Sequence, residues 1–316
     1  MRTLFTVVVL VAGLGRLAWA EPLDCSQVGS EAKWLVHVDF DALRAAKTAQ
    51  RVGEVLLRQE APKQQLEQIR KALGMDPTED VQSVTFYGSK LKALSGVVLV
   101  RARFDRQRLL GFVKKLPGYE TSAHGDHALY MWTQDKGLPS EHRVTGCFHG
   151  PKLAVVGRDP AEVKAALDVL DGKAPGMKKG DPLLADEVPA GTVVQAAAAG
   201  LAEGDGPFQS PVLQQSELFA LAIGEHDNRV FVRGRVVAKS PKVAKQLRQM
   251  ADGFLAMAKF SPPKDAPKEL LELLDGIEIT LEDKTVTVGW QASADAVLEF
   301  LEQAWKKKQA KSKQGK

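Results

Sequence analysis

Histidine and carboxylate residues stand close together near the start of the chain, and these residue types can bind a metal ion or transfer a proton. His37, Asp39 and Asp41 occupy alternate positions, so His37 and Asp39 share one face of a strand. A divalent metal ion accepts such donors. The other face of the strand is apolar: Trp34, Val36, Val38 and Phe40. We therefore predict that His37 and Asp39 face solvent and that Asp41 caps a helix, with metal binding as the weaker alternative.

Two further groups of histidines are weak metal candidates. His124 and His127 flank Gly125 and Asp126, a pair typical of a hairpin turn, and their spacing does not match the helical His-Glu-x-x-His zinc motif. His142, Cys147 and His149 are close in sequence but fit no known ligand spacing. We therefore expect no metal and no cofactor.

Catalytic signatures are missing from the sequence. It contains no Gly-x-Ser-x-Gly elbow, no Gly-x-x-x-x-Gly-Lys-Ser/Thr phosphate loop and no Gly-x-Gly-x-x-Gly after a strand. This pattern favours a non-catalytic binding or scaffolding protein whose solvated sheet faces, or the groove between its halves, hold the partner. Two alternatives stay open. One is an enzyme with a dispersed site, for which His37, Asp39 and His127 would be tested first; the other is a carrier of a small apolar ligand.

The first twenty residues have the features of a secretory signal peptide. A positive charge at Arg2 precedes an apolar run from Leu4 to Leu14, and Ala18-Trp19-Ala20 fits the small-x-small cleavage rule. We predict cleavage after Ala20 and a mature chain that is exported to the periplasm or beyond the cell. No later stretch reaches the roughly 20 apolar residues that a membrane helix needs, so we expect no transmembrane segment.

The exported location decides how the two cysteines are interpreted. Cys25 and Cys147 are the only cysteines, and an oxidising compartment permits a disulfide between them, with two inert thiols as the equal alternative.

The net charge is +4, yet the chain without its first 20 and last 11 residues carries about −4. The basic tail is a solubilising end or an arm for an envelope protein or an anionic polymer. Its charged residues are Lys306, Lys307, Lys308, Lys311, Lys313 and Lys316.

Alternating and helical patterns predict an α+β fold built from hairpin–helix units. Units of two strands and a helix enter their helices near Asp105, Asp159, Ser240 and Ser293. The first and third starts, like the second and fourth, are about 135 residues apart, which indicates an internal duplication. We predict antiparallel sheets with helices on one face, in ferredoxin-like units. The predicted segments are a signal peptide at 1–20, related domains at 21–172 and 181–305, and a disordered tail at 306–316.

The longest helix is predicted to begin at Ser240-Pro241 and to end near Lys259. Its apolar residues recur at spacings of three and four, which predicts one buried face. These residues are Val243, Leu247, Met250, Phe254 and Met257. We expect Met250 and Met257 to be core residues.

Four segments give the chain a resemblance to a known group of proteins. They read WLVHVDFDAL, VTFYG, HGDHALYMW and KLAVVGRDPAEVKAAL. With them the chain resembles uncharacterised exported bacterial proteins of planctomycete type, which have duplicated α+β domains. The resemblance covers most of the first half of the mature chain. It implies an exported, duplicated α+β fold, and it brings no activity, substrate or site residue.

Overall fold

The fold is an antiparallel sheet with helices packed against it, as seen in a computed structural model of the chain. The structure describes residues 22–91, 95–133, 143–184, 188–200, 214–260 and 273–314, with side chains up to residue 305. The predicted signal peptide and its cleavage site lie outside the described residues. The α+β class and the antiparallel pairing are confirmed.

Twelve described strands form one sheet in the order β11-β12-β10-β9-β8-β1-β2-β3-β7-β6-β5-β4. The strands of the first part are β1 (Trp34–Asp39), β2 (Val81–Gly88), β3 (Val97–Ala102), β4 (Glu120–His124), β5 (His127–Thr133), β6 (Arg143–His149) and β7 (Leu153–Gly157). Those of the second part are β8 (Thr192–Ala199), β9 (Ser216–His226), β10 (Arg229–Ala238), β11 (Ile277–Glu282) and β12 (Thr285–Ser293).

The helices follow the strands closely, and a 3₁₀ turn over Cys25–Gln27 precedes them. They are α1 (Phe40–Ala45), α2 (Lys47–Leu57), α3 (Glu60–Leu73), α4 (Pro77–Asp80), α5 (Arg106–Val113), α6 (Pro160–Leu170), α7 (Pro241–Phe260) and α8 (Ala294–Gln314). The predicted start of α6 is confirmed: Asp159 accepts a hydrogen bond from the Ala161 N–H, and Pro160 occupies the first turn.

The same strand order appears on both sides of the sheet centre. Outward from the centre, β1-β2-β3-β7-β6 on one side matches β8-β9-β10-β12-β11 on the other. On the first side the β4–β5 hairpin extends the sheet beyond β6. A duplicated chain would have such a repeated order, and both the duplication and the ferredoxin-like description stay predictions.

The two predicted domains contribute strands to one continuous sheet. β1 pairs with β8 from Trp34 opposite Ala198 to Val38 opposite Val194. The largest apolar core also contains residues from both sides of the boundary, including Leu35, Leu167 and Leu218. The two portions share this core because β1 and β8 bury each other's edges, and the domain assignment itself stays a prediction.

Both faces of β1 are covered. Leu35 belongs to the core that contains Val163 and Leu167 of α6. Val38 points to the opposite face and packs with Phe40 of α1 and with Met75. A central strand between two paired neighbours and two packed faces has no solvated side, which decides the environment of every polar side chain on it.

The basic tail is helical along most of its length. α8 continues to Gln314, whereas the sequence prediction made residues 306–316 disordered. Leu, Glu, Gln, Ala and Lys are good helix formers, so a helix that has started at Ala294 can continue through this segment. The side chains of its six lysines lie outside the described part of the chain.

Candidate functional site

Two histidines and one aspartate converge where β5 begins, β6 ends and α6 stops. β5 and β6 are antiparallel neighbours with Tyr130 opposite Gly146. Continuing this register places His127 beside His149, and the centroids of their rings are 5.3 Å apart. Asp171 is the C-cap residue of α6. We call this group, His127, His149 and Asp171, the His–Asp cluster.

The polar atoms of the His–Asp cluster lie at hydrogen-bond distances. Nε2 of His127 is 2.9 Å from Oδ1 of Asp171 and 3.1 Å from Oδ2. Nε2 of His149 is 3.2 Å from the same Oδ1. One ligand atom from each residue can be chosen so that all three lie within 4.8 Å of one another. The carboxylate thus accepts from both imidazoles.

A lysine completes the surroundings of the aspartate. Nζ of Lys173 donates to Oδ2 of Asp171 at 2.8 Å. This hydrogen bond, together with those from His127 and His149, holds the pKa of Asp171 well below its usual range. Asp171 is therefore an anion at neutral pH, and its carboxylate accepts hydrogen bonds from three donors.

A second His–Asp pair lies one helical turn away. Nε2 of His124 is 2.8 Å from Oδ1 of Asp168, and no second imidazole among the described residues joins this pair. Between the two histidines, Gly125 takes a φ of +54° in the turn of the β4–β5 hairpin. The predicted hairpin turn is confirmed; His124 contacts Asp168 of α6, and His127 contacts the C-cap residue of that helix.

A cleft of about 620 Å³ lies beside the His–Asp cluster. His149 belongs to its wall, with Arg101 and Lys152 from the neighbouring strands and their loops, Asp24 and Gln27 from the N-terminal turn, and Leu170 from the end of α6. The cleft is open and its wall is mixed in polarity, unlike the mostly apolar pockets that enclose small molecules.

The prediction that His37 and Asp39 face solvent is wrong. His37 is 5% exposed and Asp39 is 3% exposed. Nδ1 of His37 lies 2.8 Å from Oγ1 of Thr85 on β2. Oδ1 of Asp39 accepts the Ala42 N–H at 2.8 Å, so Asp39, and not Asp41, caps α1. The alternation correctly predicts a strand, but β1 is central and its second face is buried too.

The three residues proposed for a dispersed catalytic site do not meet. His37 and Asp39 lie on β1, whereas His127 lies on β5, and β2, β3, β7 and β6 separate the two strands in the sheet. His142, a further candidate, lies outside the described residues.

Both cysteines are free thiols in the structure. Cys25 is half-buried, and Cys147 is 4% exposed in the core. Burial raises the pKa of Cys147 to about 11, so little reactive thiolate forms there at neutral pH. The disulfide between Cys25 and Cys147 stays a prediction for the oxidised, exported protein.

The second half of α7 carries an exposed apolar stripe, which the sequence prediction placed in the core. Ala244 and Leu247 pack against Val286 of β12 and Ile279 of β11. Beyond them, Met250, Phe254, Met257 and Phe260 are 47%, 66%, 67% and 88% exposed. We call these four residues the α7 stripe. The prediction for Met250 and Met257 is therefore wrong, because periodicity shows which residues share a side of a helix but not how far the sheet extends beneath them.

The strand beneath α7 is an edge of the sheet. α7 contacts β11, and no strand of the described residues pairs with the outer side of β11. The matching strand of the first part, β6, is covered on that side by β5. An uncovered edge presents unpaired backbone N–H and C=O groups, to which a further strand can bind.

The sequence contains only a faint signal for the His–Asp pairs. His124 and His127 are three residues apart, and so are Asp168 and Asp171. The two spacings match, yet about 40 residues separate the pairs in the sequence. Only the packing of α6 on the β5–β6 region brings them together.

The chain is similar to known proteins at the level of solved structures. No family model and no curated sequence matches the chain. One crystal form of TP0453, a spirochete protein, aligns with a TM-score of 0.48 and 10% identity, covering 88% of this chain and 97% of that one. A second crystal form gives a TM-score of 0.45 and 12% identity, with coverage of 90% and 98%. Among the described helices, none combines the length and the apolar composition that a membrane span requires.

Proposed function

We propose that this chain is an exported, non-catalytic protein that binds a partner protein through the α7 stripe and the edge strand β11. The observation that carries the proposal is the exposure of four large apolar side chains on one helix. Soluble proteins rarely leave such groups together in water, and contiguous exposed apolar residues usually mark an interaction site. We further propose that residues 1–20 direct export and are cleaved after Ala20, and that the chain belongs with the exported proteins it resembles.

The open edge of β11 favours a protein as the occupant of this surface. An extended segment of a partner can satisfy the backbone groups of β11 by adding a strand, while its apolar side chains pack against the α7 stripe. The first part of the fold supports this mode, since there a strand of the chain itself, β5, takes the matching place beside β6. Lipid would bury the stripe but would leave the backbone groups of β11 unpaired.

The stripe offers enough apolar surface for measurable affinity. Burying one Phe or Met side chain is worth about 1.5–3 kcal/mol, and about 1.4 kcal/mol corresponds to a factor of ten in Kd. Phe254→Ala should therefore weaken binding about tenfold or more. Phe112→Ala on α5 is the matched control, because Phe112 is 39% exposed on a helix outside this surface.

Site-specific photo-cross-linking tests the proposal in cells that express the full chain. A benzophenone amino acid in place of Phe254 should cross-link one defined protein, and the linked peptide should be an extended segment. The same group in place of Phe112 should not capture that protein. Cross-links to lipid alone, cross-links to a second copy of this chain alone, or equal capture at both positions would refute binding of a separate partner protein.

A second contact is proposed for the lysines at 306–316. The six lysines of this segment form a dense positive charge that attracts anionic polymers of the cell envelope. The mature chain that ends at Trp305 should lose binding to an anionic envelope polymer at low salt, while capture through Phe254 should persist. Unchanged polymer binding by the shortened chain would exclude this role of the tail.

A further inference from the structure

We propose that His127, His149 and Asp171 form a binding site for a divalent transition-metal ion, with Zn²⁺ as the ion that suits the donors best. The site lies on β5, β6 and the end of α6, whereas the proposed partner surface lies on α7 and β11. The two proposals can therefore fail independently of each other.

The distances within the His–Asp cluster fit a metal ion. Zinc lies about 2.0–2.2 Å from imidazole nitrogen and carboxylate oxygen, and neighbouring ligand atoms of a tetrahedral site are therefore about 3.4 Å apart. Nε2 of His127 and Nε2 of His149 lie 2.9 Å and 3.2 Å from Oδ1 of Asp171. Small side-chain adjustments suffice to place an ion among these three atoms.

The fold fixes the three ligands before an ion arrives. The two histidines lie on adjacent paired strands, and Asp171 is held at the end of a helix whose Val163 and Leu167 are fully buried. The side chains of His127, His149 and Asp171 are 16%, 27% and 17% exposed. An ion can reach such a site from solvent, yet the ligands have little freedom to lose when they bind it.

Lys173 acts as an orienting partner for the carboxylate. Its Nζ donates to Oδ2 of Asp171, which leaves Oδ1 directed toward both imidazoles. Metal-binding carboxylates commonly have such a hydrogen bond outside the coordination sphere. The positive charge of Lys173 opposes the ion as well, so we expect moderate affinity.

The donor set selects the class of ion. Two imidazole nitrogens and one carboxylate suit Zn²⁺ and its transition-metal neighbours, whereas Ca²⁺ and Mg²⁺ require mostly oxygen ligands. Three protein ligands leave a fourth position, as in zinc sites that exchange a water or a ligand. His149 also borders the cleft of about 620 Å³, so a small anionic or neutral donor could occupy that position.

An ion-pair network is the competing explanation for the same contacts. A carboxylate between two imidazoles and an ammonium is stable without any metal. The neighbouring His124–Asp168 pair has the same His–Asp contact at 2.8 Å but lacks a second imidazole, and it therefore provides a matched control within the chain.

Calorimetric titration of the chelator-treated mature chain with Zn²⁺ separates the two explanations. We expect one equivalent to bind with a Kd in the micromolar range or below. His127→Gln, His149→Gln and Asp171→Asn should each weaken binding at least tenfold, and His124→Gln should change it less than twofold. Co²⁺ should give the visible absorption of a four-coordinate site in the wild type and not in His149→Gln. Circular dichroism of each metal-free variant checks that the fold is retained.

Three results would overturn the proposal. One is the absence of stoichiometric binding by the wild type. Another is wild-type affinity in a folded His149→Gln variant. The third is equal loss of affinity in His124→Gln and His127→Gln, which would point to a general disturbance of the β4–β5 hairpin and not to coordination by His127.

Discussion

Replacing Asp39 by Asn should make the protein more stable at neutral pH, although it removes a capping carboxylate. Asp39 is 3% exposed at the end of β1, and its Oδ1 accepts the Ala42 N–H. Burial raises the pKa of Asp39 from its ordinary 3.8 to about 6; the hydrogen bond from Ala42 and the charge of Arg44 act in the opposite direction, and the charge of Asp41 adds to the rise. Asn presents a similar amide oxygen to Ala42 and caps helices as well as Asp does.

The expected gain in the free energy of unfolding follows from the change in pKa. The difference between 3.8 and about 6, at 1.36 kcal/mol per pKa unit, corresponds to about 3 kcal/mol. The folded protein binds the Asp39 proton more tightly than the unfolded chain does. The stabilising contribution is therefore fully present below pH 3.8 and is lost as the pH rises through about 6.

Urea unfolding of the wild type and Asp39→Asn between pH 4 and pH 7.5 measures this effect. Near pH 4 the two proteins should differ by only about 0.5 kcal/mol, since Asp39 of the folded protein is mostly protonated there. At pH 7.5 the Asn variant should be more stable by up to about 3 kcal/mol. Asp39→Ala should lose about 1 kcal/mol of this gain because it lacks a capping oxygen.

Asp76→Asn is a control with the opposite sign. Asp76 caps α4. Burial alone would raise its pKa, but hydrogen bonds from Arg70 and Thr78 outweigh burial and lower it. Asp76→Asn should therefore destabilise the protein at neutral pH and lose this effect in acid. A stability difference between Asp39→Asn and the wild type that did not change with pH would contradict a raised pKa of Asp39. A less stable Asn variant at pH 7.5 would contradict it as well.

Three further predictions concern packing and thiol chemistry. Gly157→Ala should lower the free energy of unfolding by about 1–3 kcal/mol, because an added Cβ would lie 2.8 Å from Val163 Cγ2 and 3.3 Å from Val97 Cγ1; a neutral effect in urea unfolding would contradict this packing of α6. Leu129→Ala should lower the free energy of unfolding by about 2–5 kcal/mol, since Leu129 is fully buried. Leu281 on the edge strand β11 is 36% exposed, so Leu281→Ala should lower the free energy of unfolding far less. In the native reduced protein at pH 8, a thiol reagent should modify Cys25 before Cys147, whose pKa is raised to about 11 by burial; mass spectrometry counts the modified thiols. Rapid modification of both cysteines would contradict the burial of Cys147. In protein that has not been treated with reductant, modification of neither cysteine would indicate the disulfide.

The sequence was sufficient for the local elements of the fold. Alternation identified β1, and Asp159-Pro160 identified the start of α6, because strand periodicity and helix capping depend on neighbouring residues. The turn at Gly125-Asp126 was likewise readable from its residue types. The equal spacing of the hairpin–helix units agrees with the repeated strand order around β1 and β8. These features depend on contacts within a few residues or on repetition along the chain.

Tertiary structure decided the environment of each functional candidate. His37 and Asp39 are buried because β1 lies between β2 and β8, a sheet order that the pattern of β1 does not contain. Within the described part of the chain, the α7 stripe lies beyond Ala244 and Leu247, which pack against β11 and β12, and it is therefore exposed. His127, His149 and Asp171 meet only after β5 pairs with β6 and α6 packs beside them. Pairing and packing between distant segments set these contacts, and the local sequence specifies each segment but not its neighbours.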